Sequence, residues 1–273
     1  MISAFARAAQ ILNEPGYADT AVKAAEVIHD KLYNAATGRL SRSYRDNVRD
    51  DLGFAEDYAC LIQGLLDLYE TTFDVRWLMW AVQLQEKQIE LFADDVGGGF
   101  FANTAEDKTV LLRLKEDNEG AEPAASSVSV RNLLRLSELF HREDWRRLAN
   151  RTAQAFHVQL RRDPLVMPQM LASLGLLEGS LQLVLVHGES TAPLTSALMR
   201  ELNSHFLPRR VLMRVDSQSR PFFEEHVEFV RQLPPNDPAG ATVYVCENYV
   251  CQLPTSDPAM LTKLLTNGAM GGR

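Results

Sequence analysis

Residues 53–84 read GFAEDYACLIQGLLDLYETTFDVRWLMWAVQL. Within them Tyr58, Leu61, Ile62, Leu65, Leu66 and Tyr69 recur at spacings of three and four, the apolar stripe of one amphipathic helix. Phe73-Asp74 interrupts that stripe, and Trp77, Trp80, Ala81 and Leu84 start a second one. The stretch predicts two antiparallel helices joined by a tight turn. The same unit occurs on both sides. Upstream, Ile2, Phe5, Ala8, Ala9 and Leu12 precede the Pro15-Gly16 break, and a second helix is expected from about Tyr17 to Leu32. Downstream, Val128, Leu133, Leu134 and Leu136 precede a turn near His141 and a helix starting around Trp145. Tyr17, Trp77 and Trp145 each follow the turn, and Ala21, Ala81 and Ala149 each come four residues later, at repeat spacings of 60 and 68 residues. This is an internal repeat of αα-hairpins with a bulky anchor at the tip and a small residue where the helices approach.

Longer connections separate the hairpins. Residues 34–53 and 93–123 each contain a β-like run between turn signals, so long loops gather at one end of the array and form a mouth where sites usually lie. Beyond the third hairpin the pattern changes. Asp163-Pro164 reads as a helix start, carboxylate cap before proline, for a helix reaching about Leu177. Leu181–Val186 is then a strand-length apolar run, a helix is expected from Ala192 to Phe206, and Arg210–Val215 and Ala241–Cys246 read as further strands. Strand, helix, strand implies a parallel crossover. The division falls near Gly179, giving a hairpin-repeat region, 1–178, and a small βαβ-type element, 179–273.

A hydrophobic fraction of 46% with 23% charged residues excludes disorder and low-complexity chains. A net charge of −8 disfavours nucleic acid and anionic membrane surfaces, which need local positive potential. No run approaches 18 consecutive apolar residues, and MISAFARAAQILNEPGY lacks the hydrophobic core of a signal peptide, so a soluble cytoplasmic protein is the expectation. Three cysteines are too few for a disulfide-stapled scaffold.

Chemistry, if present, lies with carboxylates on the long connections. Glu56 and Asp57 start the third helix, and Glu116, Asp117 and Glu122 precede the fifth, with Arg42, Ser43, Tyr44 and Arg45 on the first connection. Carboxylates facing one cavity can act as general acid and base when burial and like charge split their pKa values. The alternative reading is that acidic residues complement helix dipoles in first turns. Cys246 and Cys251, spaced C-x4-C after a strand, are a redox pair, half a metal site or spectators. No second thiol pair or suitably spaced histidine completes a zinc site, and neither metal nor cofactor is expected. Cys60, inside an apolar helix, is expected in the core. Gly97-Gly98-Gly99 is a turn without a phosphate-binding Lys-Ser/Thr, and His187-Gly188-Glu189-Ser190 occupies a strand-to-helix position where anions often bind.

Five strings, RLSRSYRD (39–46), GFAEDYACLIQGLLDLYETTFDVRWL (53–78), GGGFF (97–101), RLKEDNEGAEPAASSVSVRNLLRL (113–136) and YVCENYVCQLPTSDP (244–258), run in order along essentially the whole chain. Together they resemble the spermatogenesis-associated protein 20 family, thioredoxin-domain proteins with an appended helical toroid. The resemblance implies a mainly α fold: a partial (α/α)6 toroid of helical hairpins, similar to six-hairpin glycosidases and sugar 2-epimerases, with a small C-terminal α/β element. The matched stretch is the family's C-terminal portion. Three hairpins and a further helix account for about seven of the twelve helices in a closed toroid. Arg42, Tyr44, Glu56, Asp57 and Tyr58 lie in well-matched segments. Where the family tends to read Glu-Pro-Ser-Gly-Asn-Ser, this chain has Glu122-Pro123-Ala124-Ala125-Ser126-Ser127, which removes polar groups able to hold a ligand.

Three functions are open on this basis. The first is a non-catalytic or regulatory portion of a redox-associated protein with a role in spermatogenesis or fertility. Its partner would be an unknown protein or the N-terminal half of the same family protein. The second is a carbohydrate-active isomerase, epimerase or glycosidase-like enzyme. There Glu56, Asp57 and Glu122 would be catalytic, Arg42, Tyr44, Tyr58 and Asp117 would bind ligand, and Cys246 and Cys251 would remain the redox candidates. The third is a truncated product without independent function, in which apolar helix faces stay uncovered and drive association.

Overall fold

In the computed structural model the described residues are 1–46, 48–179, 181–247 and 250–269. The fold is mainly α with two small sheets, and it divides into two compact units, residues 1–137 with 143–175, and residues 138–142 with 176–273.

The first unit is built of hairpins. Helices α1 (Ile2–Leu12) and α2 (Pro15–Leu32), α3 (Ala55–Thr72) and α4 (Val75–Phe92), and α5 (Ala125–Phe140) and α6 (Glu143–Ala155) are the three expected pairs. At the three tips Asn13, Phe73 and His141 adopt left-handed backbone, with φ of 54°, 58° and 53°. They follow one another by the same 60 and 68 residues as the repeat. Such a residue redirects the chain after the last turn of a helix and satisfies its terminal carbonyls, as the Phe73 N–H does on Tyr69 O at 2.6 Å. Ala21, Ala81 and Ala149 are fully buried, and Trp77 and Trp145 are buried anchors. Tyr17 departs from the expected pattern: it is 38% exposed, with its ring 5.9 Å from that of Phe5.

Helices α1, α3 and α5 form one row. At Gly64 a Cβ would lie 3.3 Å from Ile2 Cβ, so the absent side chain lets α1 lie close on α3. Between α3 and α5, Asn132 donates to Ala59 O at 2.8 Å, while Gln88 of α4 donates to Ala55 O and to Ser129 Oγ. Arg135 of α5 is buried against Asp67 (2.9 Å) and Glu70 (2.8 Å) of α3, and Arg7 of α1 also reaches Asp67, at 2.7 Å. Burial opposes charge on Arg135, but Glu70 and Asp67 more than offset it and raise its pKa.

Between the first two hairpins β1 (Tyr33–Asn34), β2 (Arg39–Arg45) and β3 (Val48–Leu52) form an antiparallel sheet in which Ser41 pairs with Leu52 and Ser43 with Asp50. The second long connection contains no corresponding strand among its described residues. Val110–Lys115 is irregular there, and one bridge joins Ala93 to Phe100. The turn at residues 97–99 is confirmed. Gly98 has φ +72°, and a Cβ there would sit 2.6 Å from Arg151 O.

After α6 come α7 (His157–Arg162) and α8 (Pro168–Glu178). The single helix expected from Asp163 is corrected: Asp163 caps only a one-turn 3-10 segment, Pro164–Val166, accepting from Leu165 N at 3.1 Å. Met167, beside Pro168, leaves the helical region with φ −134° and ψ 67°, which ends that turn before α8 begins.

In the second unit β4 (Gln182–Gly188), α9 (Pro193–Ser204) and β5 (Arg210–Val215) make the parallel crossover. After α10 (Arg220–His226) and α11 (Glu228–Arg231), β6 (Ala241–Glu247) returns antiparallel to β4, and β7 (Val250–Cys251) pairs with β6. The strand order is β5-β4-β6-β7, with every residue of β4 buried, and α12 (Pro258–Ala269) packs on α9. Among the described residues no helix is long and apolar enough to cross a membrane.

Candidate functional site

The first unit holds a cavity of about 880 Å³. Ala24, Val27 and Ile28 of α2, with Ile2 of α1 and Leu61 of α3, form its apolar wall. Arg42 of β2, Glu56, Asp57 and Cys60 of α3, and Glu122 from the loop before α5 form its polar wall. All three carboxylates proposed as catalytic thus meet in one place, together with one of the four proposed ligand-binding residues.

Local structure explains who is there. Asp57 occupies the third position of α3, and its carboxylate accepts the Phe54 N–H at 2.7 Å, closing the helix start. Arg42 comes from the antiparallel strand alongside, donating to Glu56 at 2.7 Å and to Asp57 at 3.3 Å, with its guanidinium 4.4 Å from the Phe54 ring. The hydrogen bond Arg42 donates to Glu56 holds the Arg42 pKa above its usual value. Burial pushes the Asp57 carboxyl above the usual aspartate range, against the pull of the Phe54 N–H and Arg42. Glu122 is exposed and makes no hydrogen bond or ion pair among the described residues.

The other predicted residues are elsewhere. Tyr58 is buried, one helical step round from Asp57, and its hydroxyl accepts the Leu40 N–H at 2.8 Å. Tyr44, two residues along β2 from Arg42, lies under Lys31 at 5.4 Å. Asp117 is exposed and does not line the cavity. Ala124 and Ala125 are buried, and Ser126 is committed to the Phe100 backbone, so this segment of the departure from the family pattern faces inward.

Cys60 corrects an expectation. It is exposed on the cavity wall, not in the core, because it follows Glu56 and Asp57 at four and three residues and shares their helix face. That spacing was the signal available for it. Surrounding protein, with Glu56, Asp57 and Glu122 adding negative potential, pushes its thiol up to about 11. The α2 wall and Lys23 carried no such signal, since only packing against α3 and β2 brings them to the site.

A second cavity, about 470 Å³, lies along α2 and α4 beside His29, Trp77 and Trp80 and contains none of the predicted residues. Its arginine, Arg76, is already paired with Asp74 and Glu26. Cys246 and Cys251 form a disulfide, and among the described residues no cluster of His, Cys, Asp and Glu is suited to a metal ion.

No protein-family model matches the chain. Spermatogenesis-associated protein 20 of rat is 36% identical over 274 aligned residues, which include 97% of this chain, and the human protein of that name is also 36% identical over 97%. Over nearly all of its length this chain is similar to spermatogenesis-associated protein 20. It spans about a third of those relatives' length, 35% in each case. An uncharacterized protein of Caenorhabditis elegans is 32% identical over 93% of the chain and is likewise covered over 35% of its length.

Proposed function

We propose that this chain is a non-catalytic, regulatory portion of a redox-associated protein of spermatogenesis, and that its cavity binds a small ligand with a hydrogen-bonding head. The observation that carries this reading is the state of the cavity's carboxylates. Glu56 and Asp57 are bridged by one arginine, and Asp57 is also spent on capping α3. Two carboxylates held by the same cation are poorly placed to exchange protons with a substrate, yet with Arg42 they make a preorganised polar end opposite an apolar wall. The spermatogenesis role rests on the name borne by the mammalian relatives, and the redox association on the resemblance to thioredoxin-domain proteins. The rest of such a family protein, or a separate protein, is the proposed partner.

Thermal-shift and calorimetric titrations with a panel of sugars and amphipathic polyols, run beside turnover assays, test the reading. A ligand that raises the melting temperature, binds at least tenfold more weakly to Arg42→Ala and is recovered unchanged is the expected result, since a charge-assisted hydrogen bond contributes about 1.5–3 kcal/mol.

A second reading, a carbohydrate isomerase or glycosidase-like enzyme, is favoured by one observation. Burial raises the Asp57 carboxyl, the direction a general acid requires, and Glu122 on the same cavity is unengaged. Turnover of any sugar that Glu122→Gln abolishes would establish that reading and overturn the first.

A further inference from the structure

The geometry points to a thiol–disulfide exchange site at Cys246–Cys251, opened by a dithiol reductant and closed again on oxidation. It lies in the second unit and stands whether or not the cavity binds a ligand. Cys246 and Cys251 face each other directly across β6 and β7. The bond from Gln252 N to Val245 O, 2.9 Å, makes the next pair along the ladder the hydrogen-bonded one. The cysteines therefore occupy the non-hydrogen-bonded position, where facing side chains approach most closely. Their Cα atoms are 3.9 Å apart, inside the roughly 4.5 Å usual for such a pair. The cysteines are five residues apart and Thr255 re-anchors the chain on β6, so the reduced thiols stay close together even when the β7 segment is released, and re-oxidation needs only a short search.

The two sulfurs are unequally placed. Cys251 is exposed on a two-residue edge strand, whereas Cys246 is buried on β6, whose other side is paired with β4. A thiolate of the reductant attacks Sγ of Cys251. The S–S bond breaks, and its electron pair leaves on Cys246 Sγ, which takes up a proton. The reductant's second thiolate then attacks its own sulfur in the mixed disulfide, releasing Cys251 as a thiolate that is protonated in turn. The protein gains two electrons and two protons, and the reductant becomes a cyclic disulfide.

The consequence is local. Val250 and Leu253 are 72% and 87% exposed, so little apolar burial holds the β7 segment. Downstream, paired bonds between Val243 and Thr255 (2.8 and 3.0 Å) re-anchor the chain on β6. Reduction frees the short stretch between these anchors and leaves the β5-β4-β6 sheet in place.

The test equilibrates the full chain, without denaturant, in mixtures of reduced and oxidised dithiothreitol. Acid quenching, alkylation in denaturant and intact mass follow, with Cys60 as the constant third thiol. The expected result is a step of two added alkyl groups with the same midpoint from the oxidised and the reduced side. Amide exchange should quicken at residues 250–252 and stay unchanged at 182–188, and Cys251→Ser should show the fast pattern without reductant. A pair that stays oxidised until urea unfolds the chain, fails to re-form, or on reduction speeds exchange throughout β4 and β6 is a structural staple, and overturns the proposal.

Discussion

Cys60 shows how neighbours decide the chemistry of a side chain. It is open to solvent within a cavity, yet burial by the walls and three nearby carboxylates push its thiol up to about 11. An ordinary cysteine titrates near 8.5, so Cys60 should be a slow nucleophile at neutral pH despite its exposure. Iodoacetamide labelling of the folded chain should accelerate about tenfold per pH unit from pH 8 to pH 10. A plateau below pH 9.5 would show that neither the surrounding walls nor the carboxylates hold the thiol up. Asp94 illustrates the opposite shift. Its hydrogen bond from Lys115, with the Gly97 and Val96 N–H groups, lowers its carboxyl to about 2. The folded value is below the unfolded one, so the stability Asp94 contributes is present above about pH 4 and disappears as pH falls toward 2. Asp94→Asn should lower the urea midpoint at pH 6, and the difference from wild type should close as acid titrates the native carboxylate. A constant difference across that window would mean that the asparagine disturbs the glycine turn and not the charge.

Between helices, one lock is the buried set of Arg135, Asp67 and Glu70 joining α5 to α3. Removing Arg135 leaves the buried carboxylates of Asp67 and Glu70 to share Arg7, which reaches them at 2.7 and 3.8 Å, so their charge is only partly compensated away from water. Arg135→Met should therefore cost about 3–5 kcal/mol in urea unfolding, while adding Asp67→Asn and Glu70→Gln to it should restore part of that loss. If the triple variant is no more stable than the single one, packing and not stranded charge sets the cost. This lock also marks the limit of what the residue pattern discloses. The hairpins were legible because the apolar periodicity of α3 and α4 is local and each tip breaks it. Arg135, Asp67 and Glu70 sit among apolar residues 65 and 68 positions apart in sequence, and nothing local says they meet. The break at Met167 was hidden for a related reason, since Asp163-Pro164 opens a 3-10 turn as readily as an α-helix. At the site, Glu56, Asp57, Glu122 and Arg42 could be picked out as chemistry on converging connections. Tyr58 and Asp117 could not be separated from them without knowing which way each helix face and loop turns.

Over the whole molecule two forces act against each other. Ile11, Leu12 and Val27 are 72%, 58% and 60% exposed on the first hairpin, and Leu111, Leu112 and Leu114 are exposed on one loop. Scattered apolar residues on a surface are ordinary, but runs of neighbours such as these favour association. Opposing this is a net charge of −8, which makes copies of the chain repel. Salt separates the two effects, because the distance over which charges are felt shrinks from about 10 Å at 0.1 M to about 3 Å at 1 M while apolar attraction persists. The purified chain should therefore bind a hydrophobic dye at every salt concentration. By sedimentation it should move from monomer toward larger species between 0.1 and 1 M sodium chloride. Val27→Asp, which also lies on the cavity wall, should reduce the dye signal, and a paired change of Leu111 and Leu112 to serine should reduce the salt-driven association. A chain that stays monomeric at 1 M salt and leaves the dye dark would show that these side chains are covered by one another in solution, and would remove uncovered apolar faces as a reason for the chain to seek a partner.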